Sequence, residues 1–247
     1  MLHNVALAFL SLLWLGCSST PKPPPAPAAA PPQFVTNPKP FTLTGRRAGE
    51  GYFSRDGRYV IYQSESQDGN PFYQIYVRDL RTGATKRVSN GQGKTTCAWI
   101  HPDNKKVLFA STHQDPRLKE KIAEELKDRE QPKHRYSWSF DDTYDIYETG
   151  IGGGALKNLT RSPGYDAEGS YSPDGKWIAF ASNRRGYTEK LDPETKALFD
   201  KDPSVLMDIY IMPARGGGVK RLTTALGYDG GPFFSPDGKR VTFRRFT

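Results

Sequence analysis

The sequence predicts an all-β protein, a β-propeller of four-stranded blades, and three observations carry this prediction. The stretch "SYSPDGKWIAFAS" from residue 170 returns as "FFSPDGKRVTFRR" from residue 233. A second element, "DIYIMPARGGGVKRLT" at 208–223, has relatives at 74–89 and 145–160. The distances between these elements are constant along the chain. Short, evenly spaced antiparallel strands repeated in this way are typical of propellers.

The first element predicts a turn followed by a strand. Residues 172–175, Ser-Pro-Asp-Gly, suit a type I β-turn, because proline presets φ at the second position and glycine relieves the fourth. The β-branched and aromatic residues that follow predict a strand. Weaker copies occupy 53–64 and 100–111, with Arg55 in place of proline and Asn104 in place of glycine. Asparagine also tolerates left-handed backbone geometry.

The spacing of the elements defines the repeating unit. From the Ile of each "IY" to the closing Ser or Thr is 14 residues in three copies, and the Asp of the next turn follows 14 residues later. Only the segment from that Asp to the next "IY" varies, over 19, 43 and 35 residues. Each unit therefore has four strands, a to d, with a variable b–c connection. The pattern lacks the 3.6-residue period of helical repeats, and a β-sandwich gives no reason for constant spacing.

The residues of these two elements closely resemble the TolB-like β-propeller repeat of bacterial envelope proteins, over roughly residues 50–247. The resemblance implies a six-bladed ring, whereas this chain holds about three and a half blades. We expect a fragment of a longer protein. The alternative is a half-propeller that associates with another chain, since an open edge strand invites pairing. The resemblance also implies a role in envelope integrity or transport, with a peptidoglycan-associated partner.

The N-terminal segment predicts export and membrane tethering. Residues 1–16 are apolar and too short to span a bilayer, which favours a signal peptide. Cys17, in "LWLGC", is the expected lipidation site, and residues 17–40 form a Pro- and Ala-rich tether before the repeats of 41–247. We expect an outer-membrane lipoprotein facing the periplasm. Without lipidation of Cys17 the protein would be periplasmic or secreted.

Charge and cysteine content restrict the partners. The net charge of +8 would favour anionic lipids, glycans or an acidic partner, although a simply solvated basic surface also fits. No nucleic-acid motif is present. The second cysteine, Cys97, leads into a strand and is expected to be a small core residue rather than a nucleophile.

One face of the predicted propeller is expected to carry the function. In a four-stranded antiparallel blade the d-to-a loops and the variable b–c loops emerge together, and loops on a rigid scaffold commonly bind ligands. Glu50 and Thr95 occupy matching positions of the earlier blades. The candidate binding residues on this face are Thr96, His113, Tyr165, Asp166, Glu168, Tyr228 and Asp229.

The chemistry of these candidates suits a cation, such as calcium, or a basic peptide segment. The alternative is that Asp and Gly simply form the blade-to-blade turns. His113 and His134 together with Asp166 or Asp229 would form a metal site, but no regular ligand spacing supports one, so no cofactor is predicted.

The variable insertions predict short helices and an aromatic segment. Asp115 and Asp192, each followed by proline, are expected to cap a helix. Residues 134–145 are rich in aromatic and acidic side chains, a composition that suits binding of a ligand or peptide.

These observations favour a non-catalytic, membrane-tethered propeller that binds a protein or peptide partner in the bacterial envelope. The Gly-x-Ser-x-Gly motif of serine hydrolases and the His-Glu-x-x-His motif of zinc proteases are absent from the sequence. The alternative is the propeller part of an envelope peptidase or polysaccharide lyase whose catalytic part lies outside this chain.

Overall fold

The computed structural model describes residues 37, 39–42, 45–66, 68–131 and 138–246. Every strand and helix in these ranges belongs to one compact unit, Phe41–Thr247. The expected signal peptide, Cys17 and nearly all of the tether lie outside the described residues. Within the described ranges, no helix combines the length and the apolar character needed to cross a bilayer.

The strands of the described residues form two four-stranded antiparallel sheets and one six-stranded sheet, which joins a third four-stranded antiparallel unit to a final hairpin. The three four-stranded units are here called blades. Blade 1 contains β1 (Arg47–Phe53), β2 (Tyr59–Glu65), β3 (Gln74–Asp79) and β4 (Thr85–Arg87). Blade 2 contains β5 (Thr95–Ile100), β6 (Lys106–Ser111), β7 (Asp145–Gly150) and β8 (Lys157–Asn158). Blade 3 contains β9 (Asp166–Tyr171), β10 (Trp177–Ser182), β11 (Leu206–Pro213) and β12 (Lys220–Arg221). The hairpin pairs β13 (Gly227–Phe234) with β14 (Val241–Phe246), so the predicted propeller fold is confirmed.

The predicted turns connect the first two strands of each blade. In blade 3 the Ser172 hydroxyl donates to Asp174 Oδ1 at 2.6 Å, and the backbone N–H of Trp177 donates to Ser172 Oγ at 3.0 Å. Gly175 has φ of 69° and Asn104, at the same position of blade 2, has φ of 57°. The left-handed conformation expected at this position is therefore present even where glycine is replaced.

Apolar side chains from alternate strand positions pack between the blades. Ile61 and Ile75 of blade 1 contact Val107 and Phe109 of blade 2 in one buried cluster. A second cluster joins blade 2 to blade 3. Each such side chain, fully buried, contributes roughly 1.5–3 kcal/mol to folding, and this packing fixes how the inner strands lie against one another.

The insertions contain three short helices, α1 (Leu118–Asp128), α2 (Arg185–Thr188) and α3 (Pro193–Lys201), all in b–c connections as predicted. Asp192 caps α3 by accepting from the N–H of Thr195 at 2.9 Å. The cap predicted at Asp115 is wrong, because α1 begins only at Leu118. Asp115 instead accepts from the N–H of Arg117 at 2.8 Å and folds the turn before the helix.

Blade 3 and the hairpin are joined, which the repeat alone does not predict. β11 begins three residues before Ile209, and these extra residues pair in parallel with the start of β13, Leu206 with Gly227 and Met207 with Tyr228.

Candidate functional site

The first strands of the blades, β1, β5, β9 and β13, surround a central cleft of about 940 Å³. Known ligand sites span roughly 300–1,000 Å³, so the cleft is large enough for a peptide segment. These four strands are the inner strands of the propeller, and side chains from each of them line the cleft.

Each inner strand contains a β-bulge at the same position. The strand register shifts there in all four cases. The bulge residues stand six positions before the Asp of the following turn and have φ values of 37°, 53°, 57° and 61°; they are Glu50, Cys97, Glu168 and Gly231. A left-handed conformation costs a non-glycine residue roughly 1–2 kcal/mol. Three of the four bulge residues are not glycine and carry this cost. Bulges of this kind commonly change the direction of a side chain at a functional site.

Glu168 is held in a fixed orientation in the cleft. Tyr228 donates its hydroxyl to Glu168 Oε1 at 2.5 Å, and the backbone N–H of Gly231 donates to Oε2. Arg244 places one guanidinium nitrogen 3.9 Å from the same oxygen, and its side chain is 61% exposed. Because burial raises the pKa of Tyr228, this hydroxyl stays protonated and continues to donate.

Glu50 forms the corresponding group on β1. Its Oε1 accepts from the Tyr52 hydroxyl at 2.9 Å, and Cys97 Sγ lies 3.7 Å from Oε2. Burial raises the pKa of Glu50, and the negative charge of Glu168 adds to this effect. The two carboxylates therefore influence each other and give this part of the cleft a negative potential.

Cys97 lines the cleft and is not the core residue that was expected. The bulge turns it from the sheet towards the opening. Burial raises the pKa of its thiol well above the ordinary value, and Glu50 and Glu168 raise it further. A thiol that stays protonated is a poor nucleophile.

Three aromatic rings line the cleft on the turn side of the bulges. Tyr52 and Trp99 have ring centroids 4.7 Å apart, and Phe233 lies 5.4 Å from Trp99 and 5.9 Å from Tyr52. All three stand four positions before the Asp of a turn. The fourth equivalent residue is Ser170, whose hydroxyl donates to the carbonyl of Pro232 at 2.7 Å.

The insertion of blade 2 supplies the loop-side wall. Trp138 and Phe140 line the cleft and pack against Tyr165, with centroid distances of 6.4 and 5.2 Å. Phe140 also lies 6.2 Å from Tyr228. Both residues belong to the aromatic segment that the sequence singles out.

Four of the seven candidate residues line the cleft: Thr96, Tyr165, Glu168 and Tyr228. Thr96 donates its hydroxyl to Gln63 Oε1 at 2.9 Å and is almost fully buried. His113 does not line the cleft but is half-buried beside the Tyr147 ring, with a centroid distance of 4.4 Å.

Asp166 and Asp229 also stand apart from the cleft lining, and each of these buried carboxylates forms an ion pair with an arginine. Asp166 Oδ2 lies 2.5 Å from Arg184 Nη2, and Asp229 Oδ2 lies 2.7 Å from Arg245 Nη2. Ser182 donates a further hydrogen bond to Asp166. These carboxylates connect the inner strands to neighbouring segments.

His134 lies outside the described residues, and within the described ranges no three His, Cys, Asp or Glu side chains cluster as a metal site would require.

The sequence reasoning missed part of the cleft lining, namely Tyr52, Cys97, Trp99, Phe233 and Arg244. A positional signal for most of them was available. Counting six and four residues back from the Asp of each turn gives the bulge residues and the three aromatic residues.

The buried carboxylates predict a pH dependence of stability. Burial raises the pKa of Asp166 to about 7 and that of Asp208 to about 6, although Arg184 and Arg185 oppose the shift. Both values exceed the unfolded value near 3.8. At a pH between the unfolded and the folded value, the folded state therefore binds more protons than the unfolded state. The stability that these groups gain by binding protons in the folded state is therefore full below about pH 4 and is lost as the pH rises through about 6 to 7, where the ion pairs remain. Urea unfolding between pH 5 and 8 should show this decline. The variant Asp166→Asn/Asp208→Asn should flatten it, and Asp174→Asn should not.

Comparison with known proteins agrees with the fold. No family model matches the chain. It is 27% identical over 216 residues to the uncharacterized protein Atu1656 of Agrobacterium fabrum, covering 77% of this chain and 63% of that protein. It is 28% identical over 126 residues to a TolB homolog of Chlorobium luteolum, covering 40% and 28%. The structure of a putative TolB from Agrobacterium tumefaciens superposes with a TM-score of 0.56 at 21% identity, covering 84% and 61%.

The chain thus spans less than two thirds of the length of each of these relatives. Its repeat spacing, its blades and its similarity to TolB proteins in both sequence and structure agree with one another. The chain is a TolB-like β-propeller protein.

Proposed function

We propose that this chain is a non-catalytic propeller of a TolB-type protein in the bacterial cell envelope, and that its cleft binds a protein or peptide partner. The similarity to TolB proteins supports the envelope role. Anchoring through a lipid on Cys17, with the propeller facing the periplasm from the outer membrane, is part of the same proposal.

The observation that carries the proposal is the composition of the cleft. Aromatic rings line its turn side and its loop side, and the carboxylates of Glu50 and Glu168 lie between them. Aromatic rings bind apolar side chains and attract cations over their faces. Oriented carboxylates bind an ammonium or guanidinium group. A peptide segment with one basic and several apolar side chains therefore matches the cleft.

Catalysis by the cleft residues themselves is not favoured. The thiol in the cleft is protonated, and the oxygens of Glu50 and Glu168 already accept hydrogen bonds from tyrosine hydroxyls. The alternative with a catalytic part outside this chain is not favoured either, because the sequence similarity reported above includes a TolB homolog.

Capture of envelope proteins with three versions of the chain tests the proposal. The baits are the wild type, the cleft variant Trp138→Ala/Glu168→Gln and the control Lys239→Gln, whose side chain is exposed in the turn before β14 and does not line the cleft. We expect a partner retained by the wild type and the control but lost by the cleft variant. Titration calorimetry with that partner should give a dissociation constant about 30-fold or more higher for the cleft variant. Equal affinity of all three, with unchanged thermal unfolding, would contradict the proposal.

A further inference from the structure

A second surface lies at the opposite ends of the strands from the loops. It consists of the a–b turns and the c–d turns with the residues beside them, and we call it the turn face. Its a–b turns are 54–58, 101–106, 172–176 and 235–240, and its c–d turns are 79–86, 150–157 and 213–220. In each full blade the two turns are hydrogen bonded. In blade 3, for example, the N–H of Ala214 donates to the carbonyl of Lys176 at 2.8 Å.

Contacts between blades make the turn face continuous. Asn104 of blade 2 donates to Asp56 Oδ2 of blade 1 at 2.8 Å. His101 Nε2 lies 3.1 Å from the carbonyl oxygen of Gly175 in blade 3. Lys157 Nζ donates to the carbonyl of Arg215 at 2.9 Å. The turns of successive blades therefore share one surface.

This surface is strongly basic. The seven turns of the turn face, which all lie within the described ranges, contain ten exposed Lys or Arg side chains and four exposed Asp side chains. Six of the cations occupy two repeated positions, one near the end of the a–b turn and one at the start of the last strand of the blade; they are Lys105, Lys176, Lys239, Lys86, Lys157 and Lys220. The four Asp carboxylates accept hydrogen bonds within their own turns, as Asp174 does from Ser172 and the N–H of Lys176.

The loop side has no comparable excess of cations on its helices. Helix α1 carries three lysines against four acidic residues, and α3 carries two against two. Among the described residues, the excess of exposed cations on the turn face therefore has no counterpart on α1 or α3.

Exposed apolar side chains stand among the cations of the turn face. Trp177 is 44% exposed and follows Lys176, and Leu80 is 39% exposed and precedes Arg81. Tryptophan and leucine beside basic residues are characteristic of surfaces that enter the headgroup region of a bilayer. A soluble polyanion would gain from the cations but would leave these side chains in water.

We propose that the turn face binds an anionic phospholipid bilayer. Lysines and arginines contribute Coulomb attraction to the lipid headgroups, and Trp177 and Leu80 insert at the interface. In this orientation the variable b–c connections, at the other ends of the strands, point away from the bilayer.

Vesicle co-sedimentation of the full chain tests this proposal. The vesicles are phosphatidylcholine with and without phosphatidylglycerol. The variants are Lys105→Gln/Lys176→Gln/Lys239→Gln on the turn face and the matched control Lys119→Gln/Lys127→Gln/Lys201→Gln on the helices. All versions share one N-terminal segment, so differences between them report on the substituted surface.

We expect phosphatidylglycerol to raise the partition coefficient of the wild type and the control. The turn-face variant should lose on the order of 100-fold in partition to the anionic vesicles, because each lysine near such a surface contributes roughly a five-fold factor. Added salt should remove the difference. Brominated lipid should quench tryptophan fluorescence in the wild type and much less in Trp177→Phe.

Three results would overturn the proposal. One is equal partition of the two triple variants. Another is absence of any effect of phosphatidylglycerol on the wild type. The third is binding of heparin that depends on the same lysines while lipid quenching is absent, which would identify a surface for soluble polyanions.

Discussion

The variant Asp166→Ala is expected to lose about 3–5 kcal/mol in the free energy of unfolding at pH 8, where the carboxylate is ionised. The carboxylate is fully buried and accepts from Arg184 and Ser182. Arg184 is itself only 12% exposed and lies over the rings of Phe180 and Tyr210. Removing the carboxylate leaves this guanidinium buried without its anion.

Urea unfolding of three variants distinguishes this explanation from a general effect of losing an acidic residue. Asp142→Ala, at an exposed position, should stay close to the wild type. Asp166→Leu/Arg184→Met should recover much of the loss, since apolar replacement of a whole buried pair is often neutral. A loss below 1 kcal/mol for Asp166→Ala would show that the pair contributes little.

The variant Gly93→Ala is expected to lose about 2–5 kcal/mol, the sum of a left-handed backbone cost and an overpacking cost. Gly93 has φ of 69° and precedes β5. A Cβ atom there would lie 2.7 Å from the backbone nitrogen of His113. The backbone of Thr112 is hydrogen bonded to Lys94 on the same side and cannot easily withdraw.

Gly57→Ala is the matched control for this prediction. Gly57 also has φ of 69°, but a Cβ atom would meet nothing within 4 Å. It should therefore lose only about 1 kcal/mol. Thermal and urea unfolding of both variants measure the difference. Equal losses in the free energy of unfolding would mean that the close packing of Gly93 against the backbone of His113 does not add to the cost of the substitution.

The fold follows from the sequence because turns and strands repeat at fixed distances. Ser172 and Asp174 define the turn locally, and constant spacing places each strand in the blade. The parallel pairing of Leu206 with Gly227 did not follow, because it depends on where β11 starts after its insertion. The start of α1 was misjudged for a similar reason. The Asp115 carboxylate can accept a hydrogen bond from the backbone of a turn, as it does here, or from the first turn of a helix.

The site was predicted in part. Glu168 and Tyr228 were found because they lie near the start of the inner strands β9 and β13, and they do line the cleft. Asp166 and Asp229 lie in the same two strands, but Arg184 and Arg245, which are 18 and 16 residues away in sequence, hold them in ion pairs. Sequence distance gives no sign of these pairings. The bulge that turns Cys97 outward is likewise a property of strand pairing and not of the residue itself.

The repeated bulge has a consequence for how such a site can change. One residue per inner strand, at a fixed distance from its turn, contributes to the chemistry at the centre of the molecule. Here these residues are an acid, a thiol, a second acid and a glycine. Because the backbone there is already left-handed, a substitution at these positions alters charge or volume without requiring a new strand register. Any further blade of the same repeat would add one more such position, so ligand preference can diversify while the scaffold stays the same.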